Sequence, residues 1–495
     1  MGVRGGGRHA VVVGGSLAGL LAARVLVEHA ERVTVIERDR FAAEAGPRPG
    51  VPQGRHTHVL LDGGQRALDE VLPGFMDELR AAGSPRVGMP DDVVQLQGGR
   101  WFRRTPASTY LHTGTRPQLE HLVRQRVLAH PAIEVAEGAE AVGLLGDAAR
   151  VRGVLLRERG DEARDGQGGQ DARGVRGTPG VRGVRAEARP LAADLVVDAS
   201  GRGTKAARWL ARIGADAPPE ETIETGLAYA SRVYRDRDGR LGGQALGFNI
   251  VADPAQTYGC VVLPLEDGTC IVTFSGLRGD EPPTGDEEFA AFAKRLPHPV
   301  VHQWLRAAEP LTPAYGFRQT ANVRRRYDLP GRRPAGFLAT GDALCTFNPI
   351  YGQGMAVAAR NAVALRDALA DSRRTPTTRR VQAAILASSG QAWDISAGSD
   401  KKMPGATGNA VASSALERPV GWYLERVLER YATDPVVGDA FRSVLTLTAP
   451  LTSLFAPRVA GRVLFGAVGA APVEPPRERE GAAPVSQLGR TGELA

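Results

Sequence analysis

Two glycine-bearing turns, far apart in the chain, hold the residues whose types and spacing can do chemistry. The first, Gly14-Gly15-Ser16-Leu17-Ala18-Gly19, follows the apolar run "HAVVV". Gly14 suits a tight turn and Gly19 a close helix–strand contact, while the position between them must let backbone approach a pyrophosphate. Serine at 16 is the next smallest polar choice, and its hydroxyl can donate to a phosphate oxygen. Glu37 closes the following strand "RVTVIE", where an acid binds ribose hydroxyls. The second turn lies in "GFLATGDALCTFNPIYGQGMAVAARNAVAL" (336–365). There an apolar strand ends in Gly341-Asp342, a loop carries Asn348-Pro349, and Gly352-Gln353-Gly354 opens a helix ahead of Met355. Asp342 can accept hydrogen bonds from sugar or ribityl hydroxyls. The helix start offers free N–H groups and a positive dipole end, which suits the electron-rich N1–C2=O edge of a reduced flavin. A nicotinamide cofactor needs no such second site, whereas an extended FAD does.

The elements that must position these turns follow from periodicity. Residues 9–37 read as strand, turn, helix, strand, the first strand continuously apolar as in a parallel sheet buried on both faces. A loop from 53 becomes a helix around Gly64 to Leu72, and 93–104 resembles a hairpin. Residues 115–129 form an amphipathic helix with Leu119, Leu122, Val123 and Val127 on one side. "AIEVAEG" and "VRGVLLRERG" are strands, and "LAADLVVDAS" is the expected return of the second. Residues 161–190 between them are glycine- and arginine-rich and read as a disordered hairpin tip. Four strand-like runs over 222–280, with "EDGT" as a turn, predict a separate antiparallel sheet.

The fold class expected is therefore α/β: a Rossmann-like FAD-binding domain of glutathione-reductase type, an inserted antiparallel β-sheet substrate domain, and a C-terminal helical region. Residues 1–75, 115–215 and 317–370 make up the first, and 76–114 and 216–316 the second. The helical region spans 371–470, and 471–495 is a disordered tail.

Bulk numbers exclude other classes. In 495 residues the net charge is +7. All but four of the 62 basic residues are arginine, spread along the chain among acids, whereas a nucleic-acid binder concentrates its charge on one face. Cys260, Cys270 and Cys345 have neither metal-ligand spacing nor an even count, so they read as small buried residues and no metal is expected. No stretch is long enough for a membrane span and no leader precedes the first strand, so a cytoplasmic protein is expected.

At this point the sequence resembles a known family. "VVVGGSLAGLLAARVL…VIERD", "VVDASGRGT" and "FLATGDALCTFNPIYGQGM" resemble the three FAD motifs of flavoprotein monooxygenases with the para-hydroxybenzoate hydroxylase fold. "RPGVPQGRHTHVLLDGGQRALDEVLPG" (48–74) and "AWDISAGSDKKMPG" (392–405) are similar to polyether-type flavin epoxidases. The resemblance implies that Glu37 binds the adenosine ribose, Arg116 the FAD linker, Asp342 the ribityl or pyrophosphate region, and Gly352, Gln353 and Gly354 the ring edge. The implied cofactor set is Gly14, Gly15, Ser16, Leu17, Ala18, Gly19, Glu37, Arg38, Arg116, Asp198, Gly341, Asp342, Pro349, Gly352, Gln353, Gly354 and Met355. Asp198 is followed by Ala-Ser-Gly-Arg-Gly-Thr. This differs from the Asp-Gly motif of simple aromatic hydroxylases, which serves both FAD and NAD(P)H. The electron source is thus NAD(P)H or a separate flavin reductase.

The implied activity is insertion of one oxygen atom from O2, through a flavin C4a-hydroperoxide, into a hydrophobic natural-product intermediate of secondary metabolism such as antibiotic biosynthesis. The hard chemistry is the cofactor's, so no catalytic side chain is assigned; His56, His58 and Pro349 are the candidates. Such histidines more often position a loop than act as acid–base groups. Asp400 can reach the substrate or act as a cap or loop acid, and Trp101, Trp393 and Trp422 read as core. Strands in 222–330 dominated by Val, Leu, Ile, Phe and Tyr, with no evident base, favour epoxidation of an alkene such as a polyene or prenyl chain. Phenol hydroxylation, FAD-dependent prenyl or ene reduction, and non-enzymatic flavin binding are the alternatives. A hydrophobic small molecule is the expected partner, with a flavin reductase or carrier protein as further partners.

Overall fold

The structure is a computed structural model that describes residues 7–159, 187–236, 245–412 and 418–476. Its first sheet is parallel throughout. The strands are β1 (His9–Val13), β2 (Arg32–Glu37), β3 (Ile133–Glu137), β4 (Leu195–Asp198) and β5 (Phe337–Ala339), in the order β5-β4-β1-β2-β3. Helix α1 (Leu17–Leu26) joins β1 to β2, α2 (Arg116–Leu128) precedes β3, and α3 (Gly354–Ala370) follows β5. Burial of β1 on both faces accounts for its unbroken apolar run. Leu119, Val123 and Val127 are the buried apolar side of α2. Both sequence turns therefore sit at the carboxyl ends of strands of one sheet, β1 and β5, on either side of β4, where ligands bind in α/β folds.

The helix expected from Gly64 starts earlier, at Asp62, and runs to Val71. Gly63 and Gly64 are poor helix formers that close contact requires. A Cβ on Gly63 would lie 2.4 Å from the Leu447 carbonyl oxygen, and one on Gly64 would lie 2.6 Å from Cα of Ala356 in α3. Val151–Glu158 does pair antiparallel with a returning strand, but that strand is Arg189–Ala192. The expected return, Leu195–Asp198, is β4 of the parallel sheet. Of the arginine-rich insertion, 161–186 lies outside the described residues, and 189–190 belong to the hairpin.

The second sheet has eight strands and is centred on Ala228–Arg235, Thr269–Gly276, Tyr258–Pro264, Gly247–Ile250 and Val93–Gln97, in that order. It is antiparallel except for one pair, Gly247–Ile250 with Val93–Gln97, which run parallel. The stretch read as one strand from 222 divides in two. Glu220–Ile223 pairs instead with Asn322–Arg325, which also pairs with Cys345–Thr346.

Alternation along the large sheet separates its faces. Val94, Leu96, Phe248, Val262, Val272 and Phe274 pack on helices Asp286–Phe292 and Val300–Leu305 through Phe289, Phe292, Val301 and Trp304. The opposite face looks onto the parallel sheet's carboxyl edge. Helices Thr378–Ser388, Gly390–Asp400, Arg418–Tyr431, Pro435–Leu445 and Pro457–Phe465 make up the C-terminal region. The described part of the tail, 471–476, has no helix or strand. The three cysteines are free and buried.

Candidate active site

One continuous cavity of about 990 Å³ runs from the first turn, past Asp342 and the 349–355 loop, to the open face of the large sheet. At its nucleotide end Gly14 has φ +108° and donates its N–H to the Ile36 carbonyl at 2.8 Å. A Cβ there would sit 2.5 Å from the Ala199 oxygen, and one on Gly19 would sit 1.8 Å from the Gly14 oxygen. The two glycines thus let β4, the turn and α1 touch, and the start of α1 faces the cavity through Ser16, Leu17 and Ala18. Gly15 and Gly19 are packed behind the turn and do not line it. Glu37 and Arg38 do. Glu37 is buried, and its carboxylate accepts from the backbone N–H groups of Gly15 (2.8 Å) and Asp39 (2.9 Å). Lone pairs remain for a ribose.

Ser16 is placed differently from the expected phosphate ligand. Its hydroxyl donates to Glu120 at 2.7 Å and accepts from Arg116 at 3.0 Å. It locks the turn to α2. Arg116 itself lines the cavity.

Two residues that sequence reasoning missed complete this network. Arg48 donates to Glu120 at 2.8 and 2.6 Å and lies 3.1 Å from Asp39 and 3.2 Å from Glu37. Burial pushes the Glu120 carboxyl up, but Arg116 and Arg48 outweigh it and hold the group ionised below its usual range. The only signals were the position of Arg48 at the head of the "RPGVPQGRH" stretch and the spacing of Glu120 four residues after Arg116 on a helix.

At the second turn, Gly341 has φ +57°, and a Cβ on it would meet Cβ of Ala18 at 2.6 Å. Asn361 of α3 accepts the Gly341 N–H at 3.0 Å. Asp342 faces the cavity. Burial raises its carboxyl pKa, against the opposing pull of Arg202, Arg116 and Arg325.

Asp198 corrects the sequence reading. It is fully buried and absent from the cavity wall. It accepts from Ser200 N–H (3.0 Å), the Ser200 hydroxyl (2.6 Å) and the Thr204 hydroxyl. It shapes the loop whose residues 199–203 form the wall. Arg202 of that loop donates to the carbonyls of Ala321 (2.7 Å) and Phe347 (3.2 Å), tying the end of β4 to the small sheet of Glu220–Ile223, Asn322–Arg325 and Cys345–Thr346.

Pro349, Gly352, Gln353, Gly354 and Met355 all line the cavity. Gly352 has φ +64°, and the free N–H groups at the start of α3 follow it. Gln353 is 2 % exposed, and its Oε1 has no hydrogen-bond partner among the described residues. Asp400 is neither a cap nor a loop acid. It ends helix Gly390–Asp400 and accepts from Asn322 (2.6 Å), Asn348 (3.0 Å) and Tyr351 (2.6 Å), pinning the Pro349 loop. It also lines the cavity, and burial raises its pKa.

His56 and His58 both line the cavity. His56 Nδ1 bonds the Ser231 hydroxyl at 2.8 Å, Ser231 bonds Thr273 at 2.6 Å, and Thr57 joins Thr273 at 2.6 Å. The ring stands edge-on to Tyr229 and Phe317. Burial and then Arg55 lower its pKa to about 4. Burial and then Arg116 lower that of His58 to about 3, and its Nδ1 meets the His56 carbonyl at 2.9 Å. A carbonyl only accepts, so Nδ1 of His58 carries the proton and Nε2 is left as an acceptor. The imidazole that meets this sheet face comes from outside 222–330: His56 reaches it from a distant loop. Trp101 and Trp393 are core, but Trp422 is 51 % exposed.

Two helix N-termini facing one cavity, an acid at the end of β2, and the unpartnered Gln353 oxygen fit an extended dinucleotide of FAD type. Fold and site together define a flavin-dependent enzyme. A family described as FAD binding domain matches residues 8–380. The chain belongs to that family, whose members are flavin-dependent monooxygenases. It is 31 % identical over 468 residues to "Protein Rv3254" of Mycobacterium tuberculosis (strain ATCC 25618 / H37Rv), covering 92 % of this chain and 93 % of that one. It is 37 % identical over 123 residues to kynurenine 3-monooxygenase of Xanthomonas axonopodis pv. citri (strain 306), covering 23 % and 26 %. Among solved structures it is similar to the flavin-dependent brominase Bmp2 (TM-score 0.60, 16 % identity, 88 % of this chain and 93 % of that one). It is also similar to p-nitrophenol 4-monooxygenase PnpA of Pseudomonas putida DLL-E4 (TM-score 0.58, 16 % identity, 89 % and 98 %). No helix among the described residues is long and apolar enough to cross a membrane.

Proposed function

We propose that the protein uses FAD and O2 to insert one oxygen atom into a large substrate that is apolar along one side and hydrogen-bonded along the other. The observation that carries this reading is the composition of the two walls. The sheet face toward the cavity presents Gln95, Gln97, Asn249, Thr273, Ser275 and Tyr229, set among Val93, Val261 and Leu263. The Val, Ile and Phe residues that suggested a bare alkene lie mostly on the other face, against helices. The opposite wall is richer in apolar side chains, with Ile395, Met403, Leu424, Leu428, Phe441 and Leu451, and carries Asp400 and Arg442 among them. Such walls favour an oxygenated aromatic or polyketide-like molecule over an unsubstituted polyene. Phenol hydroxylation therefore stands ahead of alkene epoxidation, although both are served by the same cavity.

When bound, reduced FAD would supply the activation of O2. The backbone N–H groups of Leu17 and Ala18 at the start of α1 would receive its phosphates, Glu37 the ribose, and Gln353 and Gly354 the ring edge. Arg116 would balance charge on the linker. His56, neutral at pH 7, can orient a substrate hydroxyl through its hydrogen-bond chain without adding charge. Asp400 holds the Pro349 loop in place, and the C-terminal helices keep water from the reacting centre. The reductant would be NAD(P)H or a partner flavin reductase.

The test is turnover of FAD-loaded protein with a flavin reductase, NADH and ¹⁸O2 against a panel of phenolic polyketides and polyenes. Mass-shifted hydroxylated phenols are expected. Products formed without ¹⁸O, or formed equally without O2, would overturn the monooxygenase reading in favour of ene reduction.

A further inference from the structure

We infer that the cavity ends in a hydroxyl-recognition subsite, built by Gln95 and Thr109 and closed by Tyr431 and Arg442, and that the substrate carries a hydroxyl remote from its oxidised carbon. This rests on the substrate reading above. Gln95 is 4 % and Thr109 2 % exposed, and both line the cavity. The Gln95 amide nitrogen donates to Gln97 Oε1 at 3.3 Å, while Gln95 Oε1 has no partner among the described residues. Thr109 Oγ1 also has none. Buried polar atoms are almost always paired, so two unpaired ones, on side chains that both line one cavity, mark the place where a ligand supplies the bonds. A carbonyl oxygen needs a donor, and a threonine hydroxyl can donate or accept. A substrate hydroxyl satisfies both.

The surroundings fix the subsite at the far end. Tyr431 lies beside Gln95 and stands edge-on to Phe102. Arg442, buried, donates to the Ser108 hydroxyl at 3.0 Å, next to Thr109. Strand Val93–Gln97 lies four places along the sheet from Ala228–Arg235, which carries Ser231 and Tyr229. At about 4.8 Å per strand, the two ends are roughly 19 Å apart. The Tyr229 end is the one beside Arg202 and Asp342. A single-ring substrate would leave the subsite untouched, whereas an extended polycyclic or chain-like molecule reaches it.

The experiment titrates FAD-loaded protein with daunomycinone and with its deoxy counterpart lacking one alicyclic hydroxyl, reading the flavin absorbance change. Binding tighter by about tenfold is expected for the hydroxylated probe. Gln95→Leu and Thr109→Val, each checked for full FAD content, should abolish that preference without weakening the deoxy probe. If Gln95→Leu does not fold, Thr109→Val reads the same preference. Equal affinities in the wild type, no binding of either probe, or a preference that survives both substitutions would overturn the subsite. The assay needs no turnover, so this failure is distinct from loss of ¹⁸O incorporation, which overturns the monooxygenase reading.

Discussion

Replacing Gly19 by alanine sets two physical effects of opposite sign against each other. Gly19 lies inside α1, where alanine is ordinarily favoured over glycine by about 1 kcal/mol. Here the added Cβ would stand 1.8 Å from the Gly14 carbonyl oxygen and 3.0 Å from its carbon, where ordinary contact begins at 3.4 Å. The neighbour is backbone held by a left-handed φ of +108° and by the 2.8 Å bond to Ile36, so it cannot swing aside as a side chain would. Overpacking of this kind costs about 1–3 kcal/mol, and here the upper end applies. The net expectation is a loss of about 2 kcal/mol, together with a turn displaced from the position that would receive the pyrophosphate. Gly461→Ala is the control, since it lies in helix Pro457–Phe465 and its Cβ would meet nothing. That variant should gain up to about 1 kcal/mol. Urea unfolding and the ratio of flavin to protein absorbance read both effects. A Gly19→Ala protein as stable as the wild type and full of FAD would refute the close-contact account.

Arg48→Met removes a cation that faces Glu37, Asp39 and Glu120; a loss of about 3–5 kcal/mol is expected, with FAD occupancy falling in parallel. Unchanged occupancy and unfolding midpoint would show that the network is ornamental. Asp400→Ala strands the donors of Asn322, Asn348 and Tyr351, a cost of about 3 kcal/mol. Asp400→Asn, which keeps an acceptor, should recover part of it in the same unfolding measurement. His56 and His58 titrate in the folded protein at about 4 and about 3, below the 6.5 of a free imidazole. The unfolded chain therefore binds protons that the folded one refuses. Stability present above pH 6.5 is lost as the pH falls, by roughly 2 kcal/mol per histidine at pH 5. The double variant His56→Gln/His58→Gln should lose less between pH 7 and pH 5; equal losses would count against burial as the cause.

What could be read in the sequence was local. The glycine turns, the acid after β2 and the second helix start each lie within one strand–turn–helix unit, and all reach the cavity or the contacts behind it. Asp198 and Asp342 show the limit. Each stands at the end of a parallel strand before a small-residue loop, yet one is sealed by its own Ser200 and Thr204 while the other faces the cavity. The Arg48–Glu120 pair joins residues 72 positions apart, and no local pattern announces it. Strand composition gave the large sheet but not its facing, because which half of an alternating strand is buried depends on the helices at 286–305. The neighbourhood of His56 was hidden for the same reason: its partner Ser231 is 175 residues away.

The two-faced sheet also has a consequence for how this chain can change. Residues that keep the domain folded and residues that meet the substrate alternate one by one along the same strands. Val94, Leu96, Val272 and Phe274 keep their helices whatever stands at Gln95, Gln97, Thr273 or Ser275. Exchanges at the latter set leave the packing against those helices in place; Gln95 with Gln97 and Thr273 with Ser231 share hydrogen bonds and so change together, whereas positions without shared contacts add independently. New substrates can therefore be reached by small steps that each leave a foldable protein, and a library confined to those positions samples specificity while the scaffold stays constant.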